Sequence, residues 1–200
     1  METDRKPRGR PMDEELGARV LGATWALLAE KSLSELTLNE IAGAAATSRP
    51  ALYRRWNSVE AIVIDAFLAM VEDEVPTPGI AEPALALQEY IASLARFLQG
   101  RVGRVIAELL GRAQNDEALM AAFHQGFLVP RRNHARELIE RGQAAGVFRA
   151  DLDLDLIIDL YAGPLYFRAF SKHAALDREF ADGLARLVVE ALRPSGGAAD

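Results

Sequence analysis

Cysteine is absent from the 200 residues. Its absence excludes disulfides, thiolate metal sites, cysteine nucleophiles and thiol redox sensing, and it suits a reducing compartment. No uninterrupted apolar run reaches the roughly 18 residues a membrane span needs. The N-terminus mixes acids with bases and lacks the apolar core of a secretory signal. Alternating apolar and polar runs between turn signals are missing too, so strands are not expected. There is no phosphate-binding loop, dinucleotide fingerprint or nucleophile elbow. His124, His134 and His173 are scattered without a helical-repeat partner, which argues against a metal site. Asp151, Asp153, Asp155 and Asp159 fail the calcium-loop pattern, because Ala162 stands where the bidentate Glu is required and no Gly occupies the sixth place. Helix capping and the N-terminal dipole explain the first three of these acids. These absences lead us to expect a soluble, cytoplasmic protein that is not an enzyme, with no cofactor, metal or membrane partner.

What is present is apolar and helical. Half the residues are hydrophobic and the net charge is −6. Residues 1–60 hold nine Lys/Arg and nine Asp/Glu, so the whole acidic surplus falls beyond them. Arg5, Lys6, Arg8 and Arg10 cluster before the first helix, while Arg49, Arg54 and Arg55 cluster later. A phosphate-facing surface needs local positive charge rather than a basic protein.

Leu16, Val20, Ala23 and Leu27 form the stripe of a first helix, over about residues 13–31. Thr37 and Glu40 make a capping box for a second, with Leu36 and Ile41 placed as a hydrophobic staple. Ser48 caps a third helix with Pro50 in its first turn, and Ser58 caps a fourth that runs to about Glu74. The proline-rich stretch from Val75 to Pro83 is the expected domain junction. Further helices are expected near 84–99, 102–113, 116–128, 131–145, 154–173 and 177–193, with Pro164 kinking the fifth of these. The predicted architecture is all-α. It comprises a basic disordered arm (1–12), a three-helix domain (13–74), a helical-bundle domain (84–193) and a disordered tail (194–200).

Two short helices joined by a three- to four-residue turn of small residues, within 36–55, have the helix-turn-helix layout. Ile41, Ala42, Ala45 and Leu52 are expected to face inward. The second helix is expected to expose Arg49, Pro50, Ala51, Tyr53 and Arg54. That set offers a guanidinium for guanine, apolar atoms for a thymine methyl and a phenol for phosphate. A major-groove reader needs this mixture at the N-terminal end of its helix.

Thr37, Ile41-Ala42, Ala45, Ser48, Leu52-Tyr53 and Trp56 match the pattern of the TetR (tetracycline-repressor-like) family, which this stretch resembles. The resemblance is strongest over residues 13–74 and looser beyond. It implies a homodimeric transcription regulator that binds operator DNA, with Thr37, Ser48, Arg49, Pro50, Ala51, Tyr53 and Arg54 as DNA-binding residues. Three departures stand out: Ala46-Thr47 replaces the usual Gly-Val of the turn, Val59 replaces a common phosphate-contacting lysine, and no glycine ends the first helix at Lys31-Ser32. The Ala46 turn is therefore expected to avoid a left-handed conformation. Arg8-Gly9-Arg10-Pro11 resembles a short element that lies in A·T-rich minor grooves, which adds Arg8 and Arg10 to the expected contacts.

In the second domain Phe97, Phe123, Phe127 and Tyr161 are candidates to line a small-molecule cavity, with His124 or Gln125 as polar anchors. The helices at 154–173 and 177–193 have apolar residues on more than one side. Pairing them with symmetry mates in a four-helix interface, as the family does, explains that pattern. Repression released by an effector is the leading expectation. An activator, an effector-independent regulator or a helical ligand carrier without DNA function remain as alternatives.

Overall fold

The computed structural model describes residues 10–71 and 80–194. Arg8, most of the 75–83 junction and the tail past Pro194 fall outside them, as does the side chain of Arg10. Among the described residues there is helix and no strand. The chain divides into two units. The first contains the chain to Glu72 together with Glu108–Met120, and the second contains the remainder.

In the first unit α1 (Arg10–Leu27) is followed by a short 3-10 turn (Leu33–Glu35), then α2 (Leu38–Ala44), α3 (Arg49–Tyr53) and α4 (Val59–Val71). The first helix begins earlier and ends earlier than its apolar stripe suggested, because the backbone turns at Leu28–Glu30. Val20, Ile41, Ala42, Ala45, Leu52, Trp56 and Ile62 form the core of this unit. The Trp56 indole N–H donates to Asp65 at 2.7 Å, which settles its one polar atom beside that core. Val59 packs against the same cluster. Two ties hold the chain around residues 108–112 to this unit. The Leu33 N–H donates to Glu108, and Arg112 pairs with Glu60 at 3.5 Å.

In the second unit the helices are α5 (Pro83–Phe97), α6 (Gly100–Ala113), α7 (Glu117–Phe123), α8 (Val129–Ala144), α9 (Leu154–Ser171) and α10 (Arg178–Leu192). The last residues of α6 and the first of α7 belong to the first unit. Pro130 does not separate two helices as expected. A single π-helical turn, His124–Leu128, joins α7 to α8 instead. A proline has no N–H and its ring collides with the carbonyl four residues back, so the ladder widens and the Val129 N–H reaches back five residues to His124. The helix α9 continues through Pro164. The Asp153 carboxylate caps it by accepting from the Leu156 N–H at 2.9 Å. Asp155 and Asp159 pair with Arg132 and Arg136 of α8, and Asp151 pairs with Arg149, so these acids act as clamps between and around helices.

The turn from α8 into α9 is locked by one close approach. A Cβ built on Gly142 would lie 2.0 Å from Phe148 Cδ2. The Phe148 N–H also donates to the Gly142 carbonyl at 3.1 Å, and the Phe148 ring is buried. A Gly142→Ala substitution is therefore expected to destabilise the protein by about 2 kcal/mol or more. Chemical denaturation followed by circular dichroism measures this; an unchanged midpoint refutes the packing account.

Candidate nucleic-acid interface and a second candidate site

The capping chemistry read from the sequence is present atom for atom. The Glu40 N–H donates to Thr37 Oγ1 at 3.3 Å, and the Thr37 N–H donates to Glu40 Oε2 at 3.0 Å. Glu40 also pairs with Lys31, which ties the start of α2 to the end of the α1 segment. The hydrogen bond to Lys31, followed by that to Thr37, holds the Glu40 carboxyl below its usual range. On α3 the Ser48 hydroxyl accepts from the Ala51 N–H at 3.4 Å.

Between these caps the chain reverses in a Schellman turn. The Ala46 N–H donates to Gly43 O at 3.1 Å and the Thr47 N–H to Ala42 O at 2.9 Å. The turn needs a left-handed residue, and Ala46 supplies it with φ +47°. The expectation that Ala46 avoids this conformation is thus corrected. Satisfying the last carbonyls of α2 outweighs the strain of placing a Cβ there, which is about 1 kcal/mol.

Arg49, Pro50 and Tyr53 are exposed on α3, Tyr53 to 51%, as is Arg54 just past its end. Arg49 donates to the Tyr53 hydroxyl at 3.3 Å, and its guanidinium carbon lies 5.7 Å from the ring centroid. The two side chains lie together, one turn apart, on the outer face of the helix. Ala51 is different. It is only 8% exposed and packs inward behind Leu52, which removes it from the exposed set. Arg55 lies over the Trp56 ring at 5.3 Å, and its guanidinium nearly touches Gly17, where a Cβ would meet it at 3.0 Å. Thr37 and Ser48 are exposed while their hydroxyls serve as caps.

The second unit gathers aromatic rings around one cation. Phe127 packs against both Phe97 and Phe123, with centroids 6.0 and 5.0 Å away. The Arg131 guanidinium lies 3.9 Å from the Phe127 centroid and 5.0 Å from that of Phe97. The Tyr90 phenol donates to the Arg131 carbonyl at 3.2 Å, and Tyr90 meets Tyr161 edge-on at 6.4 Å. Burial pushes the Tyr90 and Tyr166 phenols up to about 12, and Tyr161 upward as well, so all three stay protonated at neutral pH. The His134 ring lies 5.2 Å from Tyr90; its buried Nε2 has no hydrogen-bond partner, and burial lowers its pKa. The anticipated residues Phe97, Phe123, Phe127 and Tyr161 therefore fall in one neighbourhood. His124 does not join them: it is exposed on the π-turn, beside the equally exposed Gln125. Sequence reading missed Tyr90, Arg131, His134 and Tyr166. Tyr90 and Arg131 had a signal in the apolar face of α5 and in the helix restarting after Pro130.

Comparison with known proteins places this geometry in a family. The description "Bacterial regulatory proteins, tetR family" matches residues 20–66, and "Tetracyclin repressor-like, C-terminal domain" matches residues 84–188. An uncharacterized HTH-type transcriptional regulator, YdeS of Bacillus subtilis (strain 168), is 37% identical over 161 residues, covering 80% of this chain and 81% of its own. AqdR of Rhodococcus erythropolis, an HTH-type transcriptional regulator, is 29% identical over 70% of this chain and 67% of its own. Among solved structures, the TetR family transcription regulator SCO0332 aligns at a TM-score of 0.76 and 27% identity, over 90% of this chain and 100% of its own. FadR from Bacillus subtilis, solved in complex with stearoyl-CoA, shares the fold at a TM-score of 0.68 and 18% identity, over 88% and 99% of the two chains. The fold and the α2–α3 unit are those of a DNA-binding transcription regulator. The chain belongs to the TetR family.

Two measurements check this geometry. Ala46→Gly is expected to stabilise the protein by about 1 kcal/mol, raising its melting temperature by roughly 2–4 °C. A lower melting temperature refutes the strained-turn reading. Arg49→Ala and Tyr53→Ala are each expected to cost about 1–3 kcal/mol of specific DNA affinity with unchanged melting temperature. Specific affinity at the wild-type level in a fluorescence-anisotropy titration overturns that assignment.

Proposed function

We propose that this protein is a repressor that holds an operator as a homodimer and lets go when a small molecule enters the second unit. The observation that carries the reading is the outward pairing of Arg49 with Tyr53 on a helix whose own core residues, Leu52 and Ala51, face away from solvent. Pro50 and Arg54 neighbour that pair in the chain, and Thr37 and Ser48, exposed at the starts of α2 and α3, are proposed to meet phosphates. Arg8, two residues before α1, and Arg10, its first residue, are proposed to enter an adjacent minor groove. A single module of this size buries little DNA surface, so two modules on a two-fold operator supply the affinity.

The homodimer is proposed to form through α9 and α10. Leu156, Leu160 and Phe167 are 65%, 51% and 64% exposed on α9, and Leu187 is 71% exposed on α10. Such a patch on otherwise well-packed helices marks an association surface. The effector is proposed to sit among Phe97, Phe123, Phe127 and Tyr161, with Tyr90 and Arg131 as polar contacts. A fold of this kind binds stearoyl-CoA in FadR, which supports an effector with a long apolar part. The protein works in the cytoplasm, where its DNA is.

Release requires that the effector bind one dimer geometry better than the other, since a ligand with equal affinity for both shifts nothing. Genomic fragments selected by the purified protein supply the operator. A compound panel that includes stearoyl-CoA, read by thermal shift, supplies the effector. The compound that raises the melting temperature is expected to weaken operator binding by about 5- to 150-fold, the span of ordinary allosteric coupling. Unchanged operator affinity at saturating compound defeats the release mechanism.

A further inference from the structure

The helix α10 has a second apolar side that the described residues cover only in part, with the Arg168 guanidinium 3.5 Å over the Phe180 ring and Leu187 bare. Ala181, Ala185, Val188 and Leu192 enter the core. Phe180, Gly183, Leu184 and Leu187 instead border an open groove of about 740 Å³, along which Glu179 and Arg186 also lie. Gly183 is in the helix interior, where glycine weakens a helix. No described residue of the chain needs it, because a Cβ there would meet only the Arg186 guanidinium at 3.9 Å. Glu179 and Arg186 are exposed, and neither is among the ion pairs of the described residues. Seven residues apart, they lie two turns from one another on one side of the helix, roughly 10 Å along its axis. Gly183 falls between them.

This arrangement is its own complement. A two-fold axis beside Gly183 reverses the helix, so each acid meets the opposite base and each glycine meets a glycine. We propose that two copies of the chain cross antiparallel α10 helices at Gly183, with Glu179 of each facing Arg186 of the partner subunit. The proposal rests on the homodimer reading above and adds the crossing point and its register. The missing side chain lets the two backbones approach, and Leu187 then enters the groove beside Phe180 of the partner subunit. An unrelated partner would not require acid, glycine and base in palindromic order, whereas an isologous interface does. Gly183 would thus decide which copies can pair, since a larger residue holds the helices apart.

The chain has no cysteine, so Gly183→Cys introduces the only thiol. Under mild oxidation it is expected to give a disulfide-linked dimer that reductant dissolves, because cysteines at a crossing point come within the few ångströms a disulfide allows. In sedimentation equilibrium Gly183→Leu is expected to raise the dimer dissociation constant by about a hundredfold. Glu179→Arg and Arg186→Glu alone are each expected to weaken the dimer about tenfold, and the double swap to restore it. That restoration keeps the test decisive even if Gly183→Leu loses helical content. A dimer that neither cross-links at position 183 nor responds to Gly183→Leu or the charge reversals overturns this crossing and leaves the homodimer reading standing. A wild-type chain that stays monomeric at every concentration overturns both.

Discussion

The Schellman turn at Ala46 is the constraint on which the recognition surface depends. Its two hydrogen bonds, to the carbonyls of Gly43 and Ala42, end α2 and send the backbone back within a few residues. Ser48 arrives where its hydroxyl can start α3, and Leu52 arrives in the core beside Ile41. With Ala51 and Leu52 together pointing inward, Arg49 and Tyr53, four residues apart, share the opposite face of the helix. The outward pair is thus a consequence of inward packing and turn geometry, with no contribution from the charge of the chain as a whole. This is why a protein of net charge −6 can present a locally cationic edge, the candidate for reading DNA.

The parts of this fold that were legible in the sequence are those governed by local chemistry. Thr37 with Glu40, Ser48, Ser58 and Asp153 each formed the cap that its spacing predicts, since capping involves atoms only two or three residues apart. The illegible parts depend on competition between local rules. Ala46 is a poor left-handed residue, and composition alone argues against the conformation it adopts. Two unsatisfied helix-end carbonyls tip the balance, and that demand appears only when the turn is built. Pro130 is a genuine helix breaker, yet the helix passes it by taking one wider turn, because Phe127 and Leu138 are buried on either side and hold the axis in place. Ala51 is expected to be exposed from its place on α3, but the inward stripe there is wider than the single residue Leu52.

The aromatic neighbourhood of the second unit was half visible. Phenylalanines announce themselves as core, and Phe97, Phe123 and Phe127 do meet, while Tyr161 meets Tyr90 instead. Arg131 does not announce itself, because an arginine next to Pro130 reads as a surface residue at a helix start. Its position against Phe97 and Phe127 follows from the π-turn, which rotates α8 relative to α7 and swings residue 131 toward the rings. A single inserted residue in the ladder changes which face of the following helix is inward, and no periodicity count anticipates that.

The helix α9 shows how one element can belong to two environments. Ile157, Ile158, Tyr161 and Leu165 are buried within the unit, while Leu156, Leu160 and Phe167 remain bare on another side with Gly163 among them. A helix that is apolar on two sides has no favourable resting place in a lone subunit in water. Covering the outer side with a second copy resolves the conflict at about 25 cal/mol per Å² of apolar surface removed. The inner side bears Tyr161, which meets Tyr90 in the candidate effector site. Pro164 leaves the Leu160 carbonyl without its usual helical donor midway along the same helix. A ligand that displaces Tyr161 therefore acts on the very element whose outer side makes the proposed dimer, and at the turn where that element's hydrogen-bond ladder is weakest. On this arrangement an effector needs no long relay to reach the subunit contact, because a single helix is wall to one and floor to the other.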